Sequence, residues 1–373
     1  MNEISTTPNF TSKRVGHLYP LICDTDNLRD AIIAAAKGKK RRKNVRRILD
    51  NVDRYALELQ QILLLRNYDP SPYRITEMYD GIQRKKRIIA EPKFFPDQCI
   101  HHALIQVLEK VLMRGMYEFS CGSIPKRGSH LAKKHIEKWI RKDPQHSKYV
   151  LKMDVRKFYP SISHDVLKAR FRRSIKDPDV LWLIDSIVDS YAHGVPIGNY
   201  TSQWFCNFIL QDLDHFIKEQ LRIEHYVRYI DDMVCFSSSK RRLHKAQVAI
   251  EKKLREMSLS MKGNWQVFPI KKRFLDFLGF KFYPVKTTIR KSICLRLRRK
   301  AKRISKLPEV SPVNAQAMVS YLGWIKHSDS RHFWNVYVRP YVHLNKLKEV
   351  IRNESRKQCQ AQRQIQNRSP VPA

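Results

Sequence analysis

Two short runs of β-forming residues, 226–230 (YVRYI) and 233–237 (MVCFS), meet at the adjacent carboxylates Asp231 and Asp232. This junction restricts the fold more than any other feature, because strands joined so closely must close as a hairpin with both carboxylates at its tip. Negative charge gathered at a strand end costs stability unless it binds a cation. A further carboxylate, Asp154, sits the same way: it ends the β-rich stretch 148–155 and precedes a helix-like run at 163–173. A polar turn alone would account for a lone Asp-Asp pair. The flanking β-formers and the separate Asp154 point instead to an oxygen cluster suited to two Mg²⁺ ions about 4 Å apart, with Mn²⁺ a possible substitute. Such a cluster activates a 3′ hydroxyl and stabilises a leaving pyrophosphate, the chemistry of phosphoryl transfer onto nucleic acid.

The charge balance suits that substrate. Lys and Arg number 72 against 35 Asp and Glu, a net +37, in a chain whose 42% hydrophobic content is that of a globular protein. Such a surface draws phosphate backbones by Coulomb attraction and counterion release; a membrane surface is the weaker alternative. The 373 residues suffice for one large domain or two to three packed subdomains. There is no apolar run of membrane-spanning length and no apolar core of a secretory signal in the polar first 20 residues, so a cytoplasmic protein without a membrane partner is expected. The seven cysteines are scattered without a C-x-x-C pair, which predicts buried reduced thiols rather than a zinc site or disulfides.

Along the chain, Asp24-Thr25-Asp26 offers caps for a helix at 28–36, and helical periodicity returns at 45–65 and 97–112. Between the first two lies 37–47, with eight cations and no acid, either a solvated helix end or a phosphate-contacting arm. Residues 84–92 (RKKRIIAEP) read as a basic hairpin flap. Thr201 or Ser202 is expected to cap an amphipathic helix running through Leu221, and another helix is expected at 243–257. A hairpin at 274–283 has Gly279 at its turn. A basic helix at 291–303 and an aromatic helical region at 318–341 then mark a helical subdomain starting near Pro284. Residues from about 353 onward, rich in Gln, Arg, Ser and Pro, read as a disordered tail.

The residues Tyr229 to Asp232 (YIDD) resemble the active-site box of reverse transcriptases, and other blocks of that family stand in order around it. DVRKFYPSI at 154–162 resembles the block with the first metal-binding aspartate, RIIAEP at 87–92 the fingers segment, and FLDFLGF at 274–280 the primer grip. The resemblance implies an α+β right-hand polymerase, with fingers and palm of antiparallel sheet plus helices and a C-terminal helical thumb. It implies an N-terminal helical extension and outer fingers at 1–83, fingers and palm at 84–283, a thumb at 284–345 and a basic polar tail at 346–373. The activity implied is RNA-directed DNA polymerisation, with template RNA, a cDNA primer–template duplex and dNTPs as partners.

The segment GVPIGNYTSQWF at 194–205 departs from most of the family, which has glutamine before the glycine and Ser-Pro later. Its Ile197-Gly198 and Ser202-Gln203 are similar to the signature of enzymes from diversity-generating retroelements, encoded by bacteria or phages. These copy a template-repeat RNA with errors at adenines, and they work with a small basic helical oligomeric accessory protein. A group II intron maturase would carry a longer extension, and a retron enzyme would carry Asn-Ala-x-x-His and Val-Thr-Gly elements, which do not occur. A defence-associated or uncharacterised bacterial reverse transcriptase remains an alternative, and a basic RNA-binding protein with a retired polymerase fold is the non-enzymatic one.

By the resemblance, Asp154, Asp231 and Asp232 hold the metals, with the Val155 carbonyl as a further ligand. Lys85 and Arg87 clamp the incoming triphosphate, unless they belong to a solvated basic strand. Tyr159 blocks the ribose 2′ hydroxyl, with a core tyrosine as the alternative; Phe158 beside it is nucleotide-proximal packing. Ile197, Gly198 and Gln203 complete the nucleotide site. Lys126, Arg127 and His130 follow the template backbone, where Gly122 and Gly128 permit close approach, Gly128 within the nucleic-acid contact itself. Leu278 and Gly279 position the primer end, and Arg298 and Arg299 contact nucleic acid from the thumb. Trp204, Trp324 and Trp334 are expected as core anchors.

Overall fold

The computed structural model describes residues 13–80 and 85–366; of Asp80, Lys85, Gln358, Cys359 and 361–366 it describes only the backbone. Residues 1–12 of the polar N-terminal stretch and 367–373 of the expected tail lie outside the described residues. The chain divides into two compact units, Met1–Ala132 with Leu151–Val267, and Lys133–Val150 with Phe268–Ala373.

In the first unit the helix Thr25–Ala35 begins as expected, with the Asp24 carboxylate accepting from the amides of Asp26 and Asn27. The single helix expected at 45–65 is two, Lys43–Leu49 and Val52–Leu64. Asn51 breaks it: its side chain donates to the Arg47 carbonyl at 3.3 Å and its backbone leaves the helical region (φ −139°, ψ 47°), the competition that makes Asn a poor interior residue. The basic flap is an antiparallel ribbon of β1 (Arg74–Asp80) and β2 (Lys85–Glu91), pairing Met78 with Arg87. Helix Cys99–Met113 buries Ile100, Leu104, Leu108 and Leu112, the four-residue spacing of one face.

A four-stranded sheet carries the carboxylates. Its order is β4-β5-β3-β6, from β3 (Tyr149–Asp154), β4 (His225–Tyr229), β5 (Asp232–Ser237) and β6 (Gln266–Pro269). β4 and β5 pair antiparallel with Tyr229 opposite Asp232, so the turn is Ile230-Asp231. Helix Tyr200–Ile209 starts earlier than predicted: Asn199 is its N-cap, and Thr201 and Ser202 are buried within it. Gly198, at φ 142°, brings the chain to Asn199 in an extended conformation, and the Asn199 amide donates to the Tyr73 hydroxyl at 2.8 Å instead of capping the helix.

In the second unit β7 (Leu275–Phe277), β8 (Phe280–Phe282) and β9 (Thr287–Ile289) form an antiparallel meander. Leu278 and Gly279 make its first turn with φ of 50° and 83°, the doubly positive turn that twists correctly for a hairpin. Helix Lys291–Ser305 buries Ile293, Leu297, Ala301 and Ile304 and turns its cations outward. Leu297, Ala301 and Ile304 pack with Met318, Val342 and Leu347 in one cluster. The composition-based expectation of a disordered tail is corrected here, since residues Leu344–Gln366 are helical. Leu347, Val350 and Ile351 repeat at helical spacing and join that cluster, which the polar average of the segment conceals. Of the cysteines, Cys23, Cys99, Cys121, Cys206 and Cys235 are buried free thiols and Cys294 is half-buried.

Candidate active site

The carboxylates converge because the turn of the β4–β5 hairpin is held from three sides. Ile230 adopts φ 57°, a left-handed conformation that a β-branched residue resists. The Arg228 guanidinium, fully buried, donates to the Ile230 carbonyl at 3.0 Å and to Asn207 Oδ1 at 3.0 Å. Its other nitrogens pair with the buried Asp214 carboxylate at 2.7–3.1 Å, which also accepts from the Tyr226 hydroxyl at 2.8 Å. Removing one partner of such a pair would strand the other charge in the interior, at about 3–5 kcal/mol. On the opposite side Cys121 N donates to the Arg228 carbonyl at 2.8 Å, and Gly122 lies so close that a Cβ would stand 2.4 Å from Ile230 Cγ1. Gly122 is thus glycine where the hairpin turn packs against it.

β3 delivers Asp154 to the same place. Val155 N donates to the Asp231 carbonyl at 3.3 Å, and Lys262 N to the Asp154 carbonyl at 2.8 Å. One Asp154 carboxylate oxygen faces the Lys262 ammonium at 3.3 Å; the other is buried with no hydrogen-bond partner. Burial first, then the negative charges of Asp154 and Asp232, push the Asp231 carboxyl up to about 7. An orphaned carboxylate oxygen beside mutually repelling carboxylates is the donor set a hard divalent cation satisfies, so these residues fit bound Mg²⁺.

Tyr159 follows Asp154 on the short helix Phe158–Ser161. It is half-buried, and its phenol is raised by burial, then by the neighbouring Cys206 and Asp231, while Arg87 opposes the shift. Asp231, Tyr159 and Arg87 thus share one electrostatic environment. Phe158 is buried, edge-on to Tyr159 at 5.8 Å. The Ile197 carbonyl accepts from Ala90 N at 2.8 Å, and a Cβ on Gly198 would meet the Ala90 carbonyl oxygen at 2.1 Å, which clamps that segment onto β2, the strand of Arg87. Gln203 is exposed on helix Tyr200–Ile209. The side chain of Lys85 lies outside the described residues.

The remaining expected contacts are distributed elsewhere. Lys126 is exposed at φ 60°, Gly128 has open space beside it, and Arg127 donates to the Tyr117 carbonyl at 2.7 Å. In the second unit Gly279 abuts the Trp324 ring, where a Cβ would come within 2.7 Å. There Arg298 lies over the Tyr337 ring at 5.1 Å, and Arg299 is exposed. Residues missed from sequence are Arg228, Asp214, Asn207 and Lys262. Arg228 had one visible signal, a cation in the middle of a β-forming run two residues from the turn; the others had none.

Residues 83–282 match the family model described as reverse transcriptase (RNA-dependent DNA polymerase). The retron Ec73 reverse transcriptase of Escherichia coli is 27% identical over 137 residues, 33% of this chain and 43% of that protein. Among solved structures, apo telomerase from Candida tropicalis (TM-score 0.47, 13% identity) is matched over 79% of this chain and 60% of that one. Telomerase from Candida albicans in complex with a TWJ fragment of telomeric RNA (TM-score 0.46, 12% identity) is matched over 81% and 64%. The chain thus spans less than half of the retron relative's length. No helix among the described residues is long and apolar enough to cross a membrane. With the match covering 83–282 and enclosing the hairpin, Asp154 and β2, the chain belongs to the reverse transcriptase (RNA-dependent DNA polymerase) family.

Proposed function

We propose that this chain is an RNA-directed DNA polymerase that copies a template-repeat RNA into cDNA, as in diversity-generating retroelements. The observation that carries the polymerase reading is the Asp154–Asp231 arrangement: an unpartnered carboxylate oxygen beside a carboxyl whose charge is suppressed by burial and by its acidic neighbours. Asp154, Asp231 and Asp232 would hold two Mg²⁺ ions, with the Val155 carbonyl, and the ions supply activation of the primer hydroxyl and stabilisation of pyrophosphate. Lys85 and Arg87 bind the triphosphate, Tyr159 walls off the ribose 2′ hydroxyl, and Gly198 and Gln203 border the nucleotide. Lys126, Arg127 and Gly128 then follow template, and Leu278, Gly279, Arg298 and Arg299 the primer duplex.

Ile197 supports the mutagenic part of the reading. In ordinary reverse transcriptases an amide here hydrogen-bonds near the 3′ side of the incoming sugar; isoleucine has no donor or acceptor. Losing a contact worth on the order of 1 kcal/mol weakens correct nucleotides more than wrong ones, so discrimination falls. The small basic accessory protein of such elements is part of this proposal. The retron relative favours a second reading, a bacterial reverse transcriptase outside the diversity-generating type. Sequencing cDNA made on a defined RNA separates them: excess errors opposite adenine support the first, and equal, low error at all four bases supports the second.

A further inference from the structure

We infer that His164 is a positioning residue for sugar selection, acting on Tyr159 through the backbone of Gly194. The inference rests on the reading of Tyr159 as the wall beside the ribose 2′ position.

His164 opens the helix His164–Ser174, whose N-cap Ser163 accepts from Val166 N at 3.4 Å. Its ring bridges two acceptors. Nε2 donates to the Gly194 carbonyl at 2.7 Å, the only direction a carbonyl allows, and Nδ1 lies 3.3 Å from Asp189 Oδ1. Asp189, the last residue of helix Pro178–Asp189, is itself fixed by Lys168, whose ammonium reaches both its oxygens at 2.6 Å. Lys168 stands one turn after His164, so one helix face grips the end of the other helix and the loop behind it.

That loop bears directly on Tyr159. Gly194 is at φ 68°, and a Cβ there would sit 2.3 Å from the Tyr159 carbonyl oxygen and 2.6 Å from Pro160. Val195 N then donates to the same Tyr159 oxygen at 3.0 Å. Tyr159 has little local support of its own: its helix is four residues long and follows Lys157 in the left-handed region at φ 44°. The contacts Asp189–His164–Gly194–Tyr159 therefore form the brace that holds the tyrosine backbone against the palm. A ring held there within a few tenths of an ångström excludes a hydroxyl; one free to retreat admits it. His164 touches no nucleotide and takes no part in the chemistry.

The test compares single-nucleotide incorporation on an RNA template by the wild type, Tyr159→Val, His164→Ala and His164→Gln, measuring kcat and KM for a dNTP and its rNTP. The expected result is a ribonucleotide share raised about fivefold in His164→Ala, the equivalent of one hydrogen bond, expressed mainly in rNTP KM. In His164→Gln the side-chain amide reaches the same carbonyl and restores selectivity. A Tyr159→Val protein that accepts ribonucleotides beside a folded His164→Ala protein that does not, or that slows equally with both sugars, overturns the inference and leaves Tyr159 as the wall. Unchanged selectivity in Tyr159→Val overturns both. Should His164→Ala fail to fold, a His164→Gln protein with selectivity unlike the wild type's would count against the hydrogen bond as the brace.

Discussion

Replacing Gly122 by alanine is a small perturbation aimed at the turn that carries Asp231. The added Cβ would stand 2.4 Å from Ile230 Cγ1, 2.7 Å from Ile230 N and 3.2 Å from the Tyr229 carbonyl carbon, where ordinary contact begins near 3.4 Å. The Ile230 side chain could swing away from the first contact, but the second is with backbone. Relieving it requires the turn to move by roughly 0.7 Å, against the Arg228 bond to the Ile230 carbonyl at 3.0 Å and the buried Asp214 pair behind it. Overpacking of this kind costs about 1–3 kcal/mol in stability, and a misplacement approaching 1 Å at reacting groups costs on the order of 10²-fold in rate. Single-turnover primer extension on a homopolymer RNA, with RNA affinity and thermal melting measured in parallel, reads the two effects separately. We expect extension to slow by about that factor with RNA affinity unchanged. A Gly122→Ala protein that extends primers at the wild-type rate would show that the turn does not need this close approach, and the account of how Asp231 is placed would be wrong.

Three further outcomes follow from the structure. The Asp231 carboxyl is raised from 3.8 to about 7, so the folded state favours its proton; the stability this confers is complete below the unfolded value and is lost as pH rises through 7. In EDTA at pH 8, Asp231→Asn should therefore be more stable than the wild type by ~1–4 kcal/mol, the gap narrowing at pH 5 and closing only below about pH 4; an equal gap at pH 8 and pH 5 would contradict the raised carboxyl. Leu347→Ala should destabilise the second unit by about 2–4 kcal/mol, because the helix Leu344–Gln366 is tied to its core there; a neutral effect by chemical denaturation would return the segment to a tail. Ile197→Gln should lower misincorporation opposite adenine severalfold in sequenced cDNA, and an unchanged spectrum would remove Ile197 from fidelity control.

The elements that position the site were legible where local pattern and tertiary demand agree. The hairpin at Ile230-Asp231 could be read because β-formers flank two carboxylates at turn spacing, and the Asp24 cap because its partners are two and three residues away. What supports the site was not legible, since it is made by contacts distant in sequence. Nothing local says that Arg228 will meet Asp214 in a dry interior, or that Gly122 is glycine for the sake of Ile230. The tail was misjudged for a related reason: averaged composition hides three apolar residues, Leu347, Val350 and Ile351, that share one helix face. The break at Asn51 depends on a side chain competing for the Arg47 carbonyl, which periodicity does not register.

The central claim is that the carboxylates brought together at the end of β3 and at the β4–β5 turn carry Mg²⁺-dependent DNA synthesis on RNA. The most direct measurement is dNTP incorporation on a primed RNA template with and without Mg²⁺, by the wild type, Asp154→Asn and Asp231→Asn, alongside RNA affinity at one fixed salt concentration. The account predicts synthesis by the wild type in Mg²⁺ alone, none by either variant, and closely similar RNA binding by all three, because the net +37 charge that draws phosphate is left almost intact. Full synthesis by Asp231→Asn would contradict it.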